Sequence, residues 1–414
     1  MSDDPFKDIR PYHDDEIRPV LDQLLLDQDF IRSIASFAAP RLYRVMPRLC
    51  SWYMRARLQR QLKHVNSVSS MQDVIAGYMD EMIERTTSQL THSGIDNLVD
   101  GRSYLFISNH RDIAMDPAFV NYMLYHADFE TLYIAIGDNL LKRPFVTEVM
   151  RLNKSFIVRR QLKGRELLKS SKQLSDYIHH CVGRDNNVWI AQREGRAKDG
   201  VDRTDTALLK MLGMSLRPAP LAQALAPLHI VPVSISYEFD PCDELKGSEL
   251  YQRAELGTYQ KDEQSDIQSI VKGVVGFKGH VHVAFGRELE LDAQDDEAIA
   301  PMIDEQVVGN YQLQQTNFLS LLWLRERAAG QGEGETLPAL TEEGEAALAA
   351  FKADPAIEEK FRARVAAMAA EVQPYVLQMY ANPVISRYAA GDADPFGSVE
   401  ADSFEIAPGK EKPV

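Results

Sequence analysis

Ser103-Tyr-Leu-Phe-Ile-Ser-Asn-His-Arg-Asp-Ile-Ala-Met-Asp-Pro-Ala-Phe119 is the stretch on which the reading of this chain turns. Tyr104 to Ser108 has the length and apolar content of a buried strand, and a polar turn of Asn109, His110, Arg111 and Asp112 follows it. Asp116-Pro117 then reads as the N-cap and first residue of a helix. A histidine is thus expected at the carboxyl end of a strand, before a helix, where open α/β sheets carry their chemistry.

Short apolar runs with the same texture recur from about residue 95 to 290: 132–136, 155–158, 188–191, 230–237 and 281–285. Stretches with helical spacing lie between them at 118–125, 165–181 and 206–226. This alternation predicts an α/β fold: an αβα layered core with a largely parallel or mixed sheet, plus helical N- and C-terminal extensions. Residues 1–94 are expected to form a helical N-terminal region, with Met71–Leu90 as one amphipathic helix. Residues 291–390 are expected to form a helical C-terminal region interrupted by a flexible linker at Gly330–Thr336, and residues 391–414 a disordered acidic tail.

The chain has 414 residues, of which 45% are hydrophobic and 26% charged, a globular composition with room for a large core. Its three cysteines show neither disulfide nor metal-ligand spacing, and its start lacks the charge and apolar run of a secretion signal, so a reducing cytoplasm is the expected setting. No apolar run approaches the ~20 residues that a spanning helix needs. The net charge of −15 argues against nucleic acid as a partner.

One segment reverses that charge. From Phe30 to Gln72 there is no acidic residue, while Arg32, Arg41, Arg44, Arg48, Arg55, Arg57, Arg60 and Lys63 are all basic. Arg41, Arg44, Arg48 and Arg55 alternate with Leu42, Val45, Met46, Leu49, Trp52 and Tyr53, the pattern of a basic amphipathic helix bent at Pro47. Residues 30–72 are therefore expected either to lie on an anionic membrane surface or to pack on the domain with a solvated basic face.

Four strands end in polar groups. The first leads into Asn109, His110, Arg111 and Asp112, and the second into Gly137, Asp138 and Asn139. The third leads into Arg159 and Arg160, and the fourth into Gln192, Arg193, Glu194, Gly195 and Arg196. Parallel strands would gather these at one edge. There a neutral His110 can take a proton from an alcohol if Asp116, or in its place Asp112, orients the ring. Arginine forks at the same edge suit a phosphorylated substrate. His110-Arg111-Asp112 copies the start of a kinase catalytic loop, but the accompanying kinase motifs are missing. The adjacent His179-His180-Cys181 lacks the spacing that places metal ligands on one helix face, so no metal site is expected.

In the order in which they occur, Asn109-His110 with Asp116, Phe156 to Arg160, Arg193 to Arg196 and Ile230 to Tyr237 resemble the four sequence blocks of the phospholipid and glycerol acyltransferases. The resemblance covers about residues 95–290. It implies direct transfer of an acyl group from acyl-CoA or acyl carrier protein, with no covalent enzyme intermediate and no cofactor. It casts His110 as general base oriented by Asp116, with Asn109, Arg111, Arg159, Arg160, Arg193, Glu194, Gly195 and Arg196 around the glycerophosphate. Pro232 falls near the acyl side.

The form Pro-Val-Ser-Ile-Ser-Tyr points to glycerol 3-phosphate as acceptor, with lysophosphatidate the alternative; a non-catalytic lipid-surface adaptor of the same fold is the reading from another class. A peripheral location on the cytoplasmic face of a membrane is implied. The chain departs from the family twice. Five residues rather than four separate His110 from Asp116, and the third block is shortened to Glu194-Gly195-Arg196-Ala197.

Overall fold

A seven-stranded sheet forms the centre of the computed structural model, which describes residues 4–257, 259, 265–291, 296–331 and 337–390. The strands are β1 Thr87–Ser93, β2 Leu105–Ser108, β3 Tyr133–Gly137, β4 Ser155–Val158, β5 Val188–Ala191, β6 Ile230–Tyr237 and β7 Gly279–Phe285, in the order β1-β7-β6-β2-β5-β3-β4. From β6 to β4 all neighbours are parallel, whereas β7 runs antiparallel to β6 and β1 runs parallel to β7. The sheet is therefore mixed, and β2, β3, β4 and β5 deliver their polar ends to one edge.

Both faces of the sheet are covered, which is why its central strands are apolar without alternation. On one face Leu105, Ile107, Val188, Ile190 and Ile230 pack with Ile178 of the helix Gly164–Val182, Leu209 of Thr206–Leu212 and Ile303 of Ile299–Asn310. On the other, Phe106, Trp189, Val231, Val233 and Ile235 pack with Phe119, Val120 and Met123 of the helix Met115–His126. Ser108 of β2 pairs with Val233 of β6, so β6 runs four residues further, to Tyr237, past the end of its neighbour. That overhang carries Tyr237 alongside the turn after β2.

Several expected boundaries shift. The helix expected over Met71–Leu90 spans Val68–Thr86, and Thr87 begins β1. β1 is a polar edge strand paired only on one side, so it has no apolar signature. Thr86 and Thr87 turn their hydroxyls back to the carbonyls of Met82 and Ile83, closing the helix there. The stretch 206–226 breaks after Leu212 and resumes as Leu221–Leu225, since Pro218 and Pro220 have no N–H to continue a helix. C-terminal helices run Ile299–Asn310, Gln315–Gln331, Glu342–Ala350, Pro355–Ala366 and Gln373–Tyr388. Gly330 and Gln331, expected in a linker, end a helix, while residues 332–336 and the tail 391–414 lie outside the described residues.

Met115 rather than Pro117 opens the helix after the polar turn, and its capping group is not Asp116. Asp112 Oδ1 accepts from the backbone N–H of Ala114 (3.0 Å) and Met115 (2.9 Å). This frees the Asp116 carboxylate. Where one basic amphipathic helix bent at Pro47 is expected, the chain forms two, Pro40–Val45 and Pro47–Gln61, which break at Met46 (φ −131°, ψ 62°), one residue before the proline.

Candidate active site

The turn after β2 is fastened from below. Asn109 is fully buried: its Oδ1 accepts from Ile235 N (2.8 Å), and its Nδ2 donates to Ile235 O (3.0 Å) and Asp202 (3.3 Å). The Arg111 guanidinium, also buried, donates to Asp202 Oδ2 (2.6 Å) and Gly200 O (3.1 Å). Burial drives the Asp202 carboxyl upward, and Arg111 opposes that rise. These contacts tie the turn to β6 and to the loop after β5, and they leave His110 as the side chain that faces outward.

Asp116 is the acceptor on which the turn converges. Its Oδ2 takes His110 Nδ1 at 2.9 Å and the backbone N–H of Arg111 (2.6 Å) and Asp112 (2.9 Å). Its Oδ1 takes the Tyr237 hydroxyl at 2.7 Å. A carboxylate with this many donors is acceptor only, so His110 carries its hydrogen on Nδ1 and leaves Nε2 free as a base. Trp189 stands edge-on to the imidazole at 5.7 Å and donates Nε1 to Ser108 Oγ (3.0 Å), limiting the ring's freedom on the other side. The orienting carboxylate is thus Asp116. Asp112, whose carboxyl is pushed up by burial and then by the charge of Asp116, serves as a cap, with its Oδ2 so close to Gly273 that no Cβ fits there.

His110 opens on a cavity of about 340 Å³ between the sheet and the helices Val68–Thr86, Met115–His126 and Pro144–Leu152. Its walls include Met79, Ile134, Ile136, Leu140, Met150 and Trp189, and its catalytic rim carries Arg160, Gly195, Arg196 and Lys198. Arg160 lies across the end of β3, where any side chain at Gly137 would collide with its Nε. Its Nη1 is 3.5 Å from Glu194. Arg196 donates Nη2 to Ser269 (3.3 Å), while its Nη1 is buried without a partner among the described residues. Such an orphaned guanidinium nitrogen is costly unless a ligand supplies the acceptor. Lys198 is held by Glu249 and lowered by burial.

Not every residue expected at the substrate reaches this cavity. Asn109 and Arg111 are consumed by Asp202 and β6, so their part is to position the turn. Arg159 binds Asp8 at 2.5 Å, and Arg193 stands 3.5 Å from Asp199. Glu194 is exposed and Pro232 lies inside β6, opposite Ile107, with its carbonyl accepting from Gly286 N (2.8 Å). None of these six lines the cavity; His110, Arg160, Gly195 and Arg196 do. Tyr237 and Asp202 were not singled out from sequence, because their partners lie 121 and 91 residues away in the chain. Among the described residues no group of three or more histidine, cysteine or acidic side chains is arranged to hold a metal.

A half-buried His110 held by a buried Asp116 at the carboxyl edge of the sheet, beside an apolar cavity with a cationic rim, is an arrangement that can take a proton from a bound alcohol. Residues 89–236 match the Acyltransferase family model, a span that runs from β1 into β6 and contains the whole dyad turn. Over that span the chain is similar to the acyltransferases, in line with the resemblance carried by its four sequence blocks. Among solved structures, the 1-acyl-sn-glycerophosphate (LPA) acyltransferase PlsC from Thermotoga maritima is similar at 12% identity and a TM-score of 0.37, over 68% of this chain and 92% of that one. A search of curated proteins gave no match.

Proposed function

We propose that the protein transfers a fatty acyl group from acyl-CoA or acyl carrier protein to the hydroxyl of glycerol 3-phosphate. The observation that carries this reading is the His110–Asp116 pair opening on one cavity that is cationic at the rim and apolar within. His110 Nε2 removes the hydroxyl proton as the alcohol oxygen attacks the thioester carbonyl carbon. Asp116 stabilises the imidazolium that forms. The carbon–sulfur bond then breaks, the proton passes from His110 to the departing thiolate, and the ester and free thiol leave. Arg160 and the unpartnered Nη1 of Arg196 are placed to hold the acceptor's phosphate, and the apolar walls suit the acyl chain.

A membrane surface as the working location is favoured by the basic segment. Arg41, Arg44 and Arg48 are exposed, and so are Leu42, Val45 (76%), Leu49, Trp52 (68%) and Tyr53 beside them. Only Cys50, Met54 and Leu58 of the second helix face inward. Apolar and aromatic side chains left in water among cations match an interfacial helix rather than a domain-packed one. Among the described residues no helix is long and apolar enough to cross a membrane.

An acceptor panel tests the reading. Purified protein with acyl-CoA or acyl carrier protein should acylate glycerol 3-phosphate in preference to lysophosphatidate. A preference for lysophosphatidate would move the protein to the second step of the same chemistry. Lipid binding without acylation of either acceptor would mark it as an adaptor.

A further inference from the structure

The cavity beside His110 is apolar along its walls but polar at its inner end. Ile134, at the start of β3, pairs with Ser155 of β4, so both side chains lie on the sheet face that lines the cavity. Ser155 is 2% exposed, and its side chain lines the cavity. Above it, buried Gln72 accepts from Asn121 Nδ2 (3.2 Å) and donates to Asn153 Oδ1 (3.4 Å), leaving the Asn153 amide nitrogen unused. Gln72, Asn121, Asn153 and Ser155 all line the cavity. From Gly137, at the catalytic edge, β3 runs three residues back to Ile134, a distance of about 10 Å.

Plain hydrocarbon pressed against this end would strip water from a hydroxyl and an amide and give them nothing in return. The cations lining the cavity, Arg160, Arg196 and Lys198, belong to the loops at the catalytic edge, so the inner end is built for a neutral group. Resting on the acyl-transfer reading for the identity of the occupant, we infer that Ser155 and Asn153, braced by Gln72 and Asn121, form a subsite for a hydroxyl or keto oxygen. The acyl chain would carry this oxygen remote from its thioester carbon, since Ser155 lies three residues down the sheet from the catalytic edge. The preferred acyl group is therefore oxygenated toward its far end rather than beside its carbonyl.

Binding of free acids to the full chain tests this without requiring turnover. By calorimetry ω-hydroxydecanoic acid should bind about tenfold more tightly than decanoic acid, the worth of one good hydrogen bond in a desolvated site. β-Hydroxydecanoic acid should bind like decanoic acid. Ser155→Ala and Asn153→Leu, made separately, should each shrink the ω-hydroxy advantage while decanoic acid binds as well or better. Equal binding of the two acids by wild type, failure of both to bind, or an advantage that survives both substitutions would overturn the subsite. Thermal melts of the two variants identify a folding defect, and in that case the wild-type comparison decides. Acyl transfer without ω-hydroxy preference would sink the subsite alone, whereas ω-hydroxy binding without transfer to any acceptor would sink the enzymatic reading alone.

Discussion

The Tyr237 hydroxyl donates to Asp116 Oδ1 at 2.7 Å, on the carboxylate oxygen opposite the one that receives His110. Tyr237 reaches it because β6 outruns β2 by four residues. Burial, then the neighbouring charge of Asp116, pushes the phenol well above its usual range, so it remains a donor throughout the working pH. Tyr237→Phe removes one bond to a buried carboxylate and leaves the ring in place against Phe119. We expect kcat to fall about tenfold with little change in KM, and the acid limb of the pH–rate profile to shift. An unchanged profile would reduce Tyr237 to a packing residue.

Asp116 and Asp112 should separate cleanly. Asp116→Asn disturbs the tautomer of His110 and should lower kcat on the order of 100-fold or more. Asp112→Asn keeps a capping acceptor, relieves a carboxyl that burial disfavours, and should leave turnover within a few-fold of wild type. Steady-state rates of the two variants decide the matter, and the opposite ranking would make Asp112 the orienting group.

The rim arginines should divide by position. Arg160→Ala and Arg196→Ala should raise the KM for the phosphorylated acceptor at least about tenfold, the cost of a lost charged hydrogen bond. Arg159→Ala, which breaks an exposed pair with Asp8, should leave that KM nearly unchanged. A KM that responds to Arg159 and not to Arg196 would relocate the phosphate.

Vesicle sedimentation addresses the basic helices. Replacing Arg41, Arg44 and Arg48 together by alanine should weaken binding to anionic vesicles about a hundredfold, at ~1 kcal/mol for each charge near the headgroups. Trp52→Ala should weaken binding to neutral vesicles as well, since its contribution is apolar. Binding indifferent to both changes would leave the segment as a solvated surface.

Asp304 links stability to pH. It accepts from Thr204 N (2.8 Å) and Thr204 Oγ1 (2.6 Å), yet burial raises its pKa from 3.8 to about 6. A carboxyl with the higher pKa in the folded state binds its proton more tightly there than in the unfolded chain. Its contribution is therefore fully present below the unfolded value and is lost as pH rises from about 3.8 to about 6. Asp304→Asn should remove that decline from the melting temperature over this window, and an identical decline in the variant would assign it to other groups.

Much of the core was legible because burial writes itself into sequence. Ser155–Val158, Val188–Ala191 and Ile230–Tyr237 fall where their apolar runs placed them, and the dyad was visible as a histidine and an aspartate flanking a strand-to-helix turn. β1 was not legible, since an edge strand with polar residues such as Gln89 and Thr91 carries no apolar period. The functions of Asn109 and Arg111 were misplaced for a different reason. A polar residue at a strand end looks available to a ligand until its partner is known, and Asp202 reaches both from a distant loop. Asp116 precedes a proline and so looks like a cap as well as a partner for His110, whereas the capping bond belongs to Asp112, four residues earlier.

The most direct measurement is acyl transfer from acyl-CoA to glycerol 3-phosphate by purified wild-type protein and by His110→Ala. Transfer by wild type that falls by about 100-fold or more in a folded His110→Ala protein is the predicted result. Wild-type protein that acylates no glycerophosphate from any thioester donor, or a His110→Ala protein that transfers at the wild-type rate, would contradict the account.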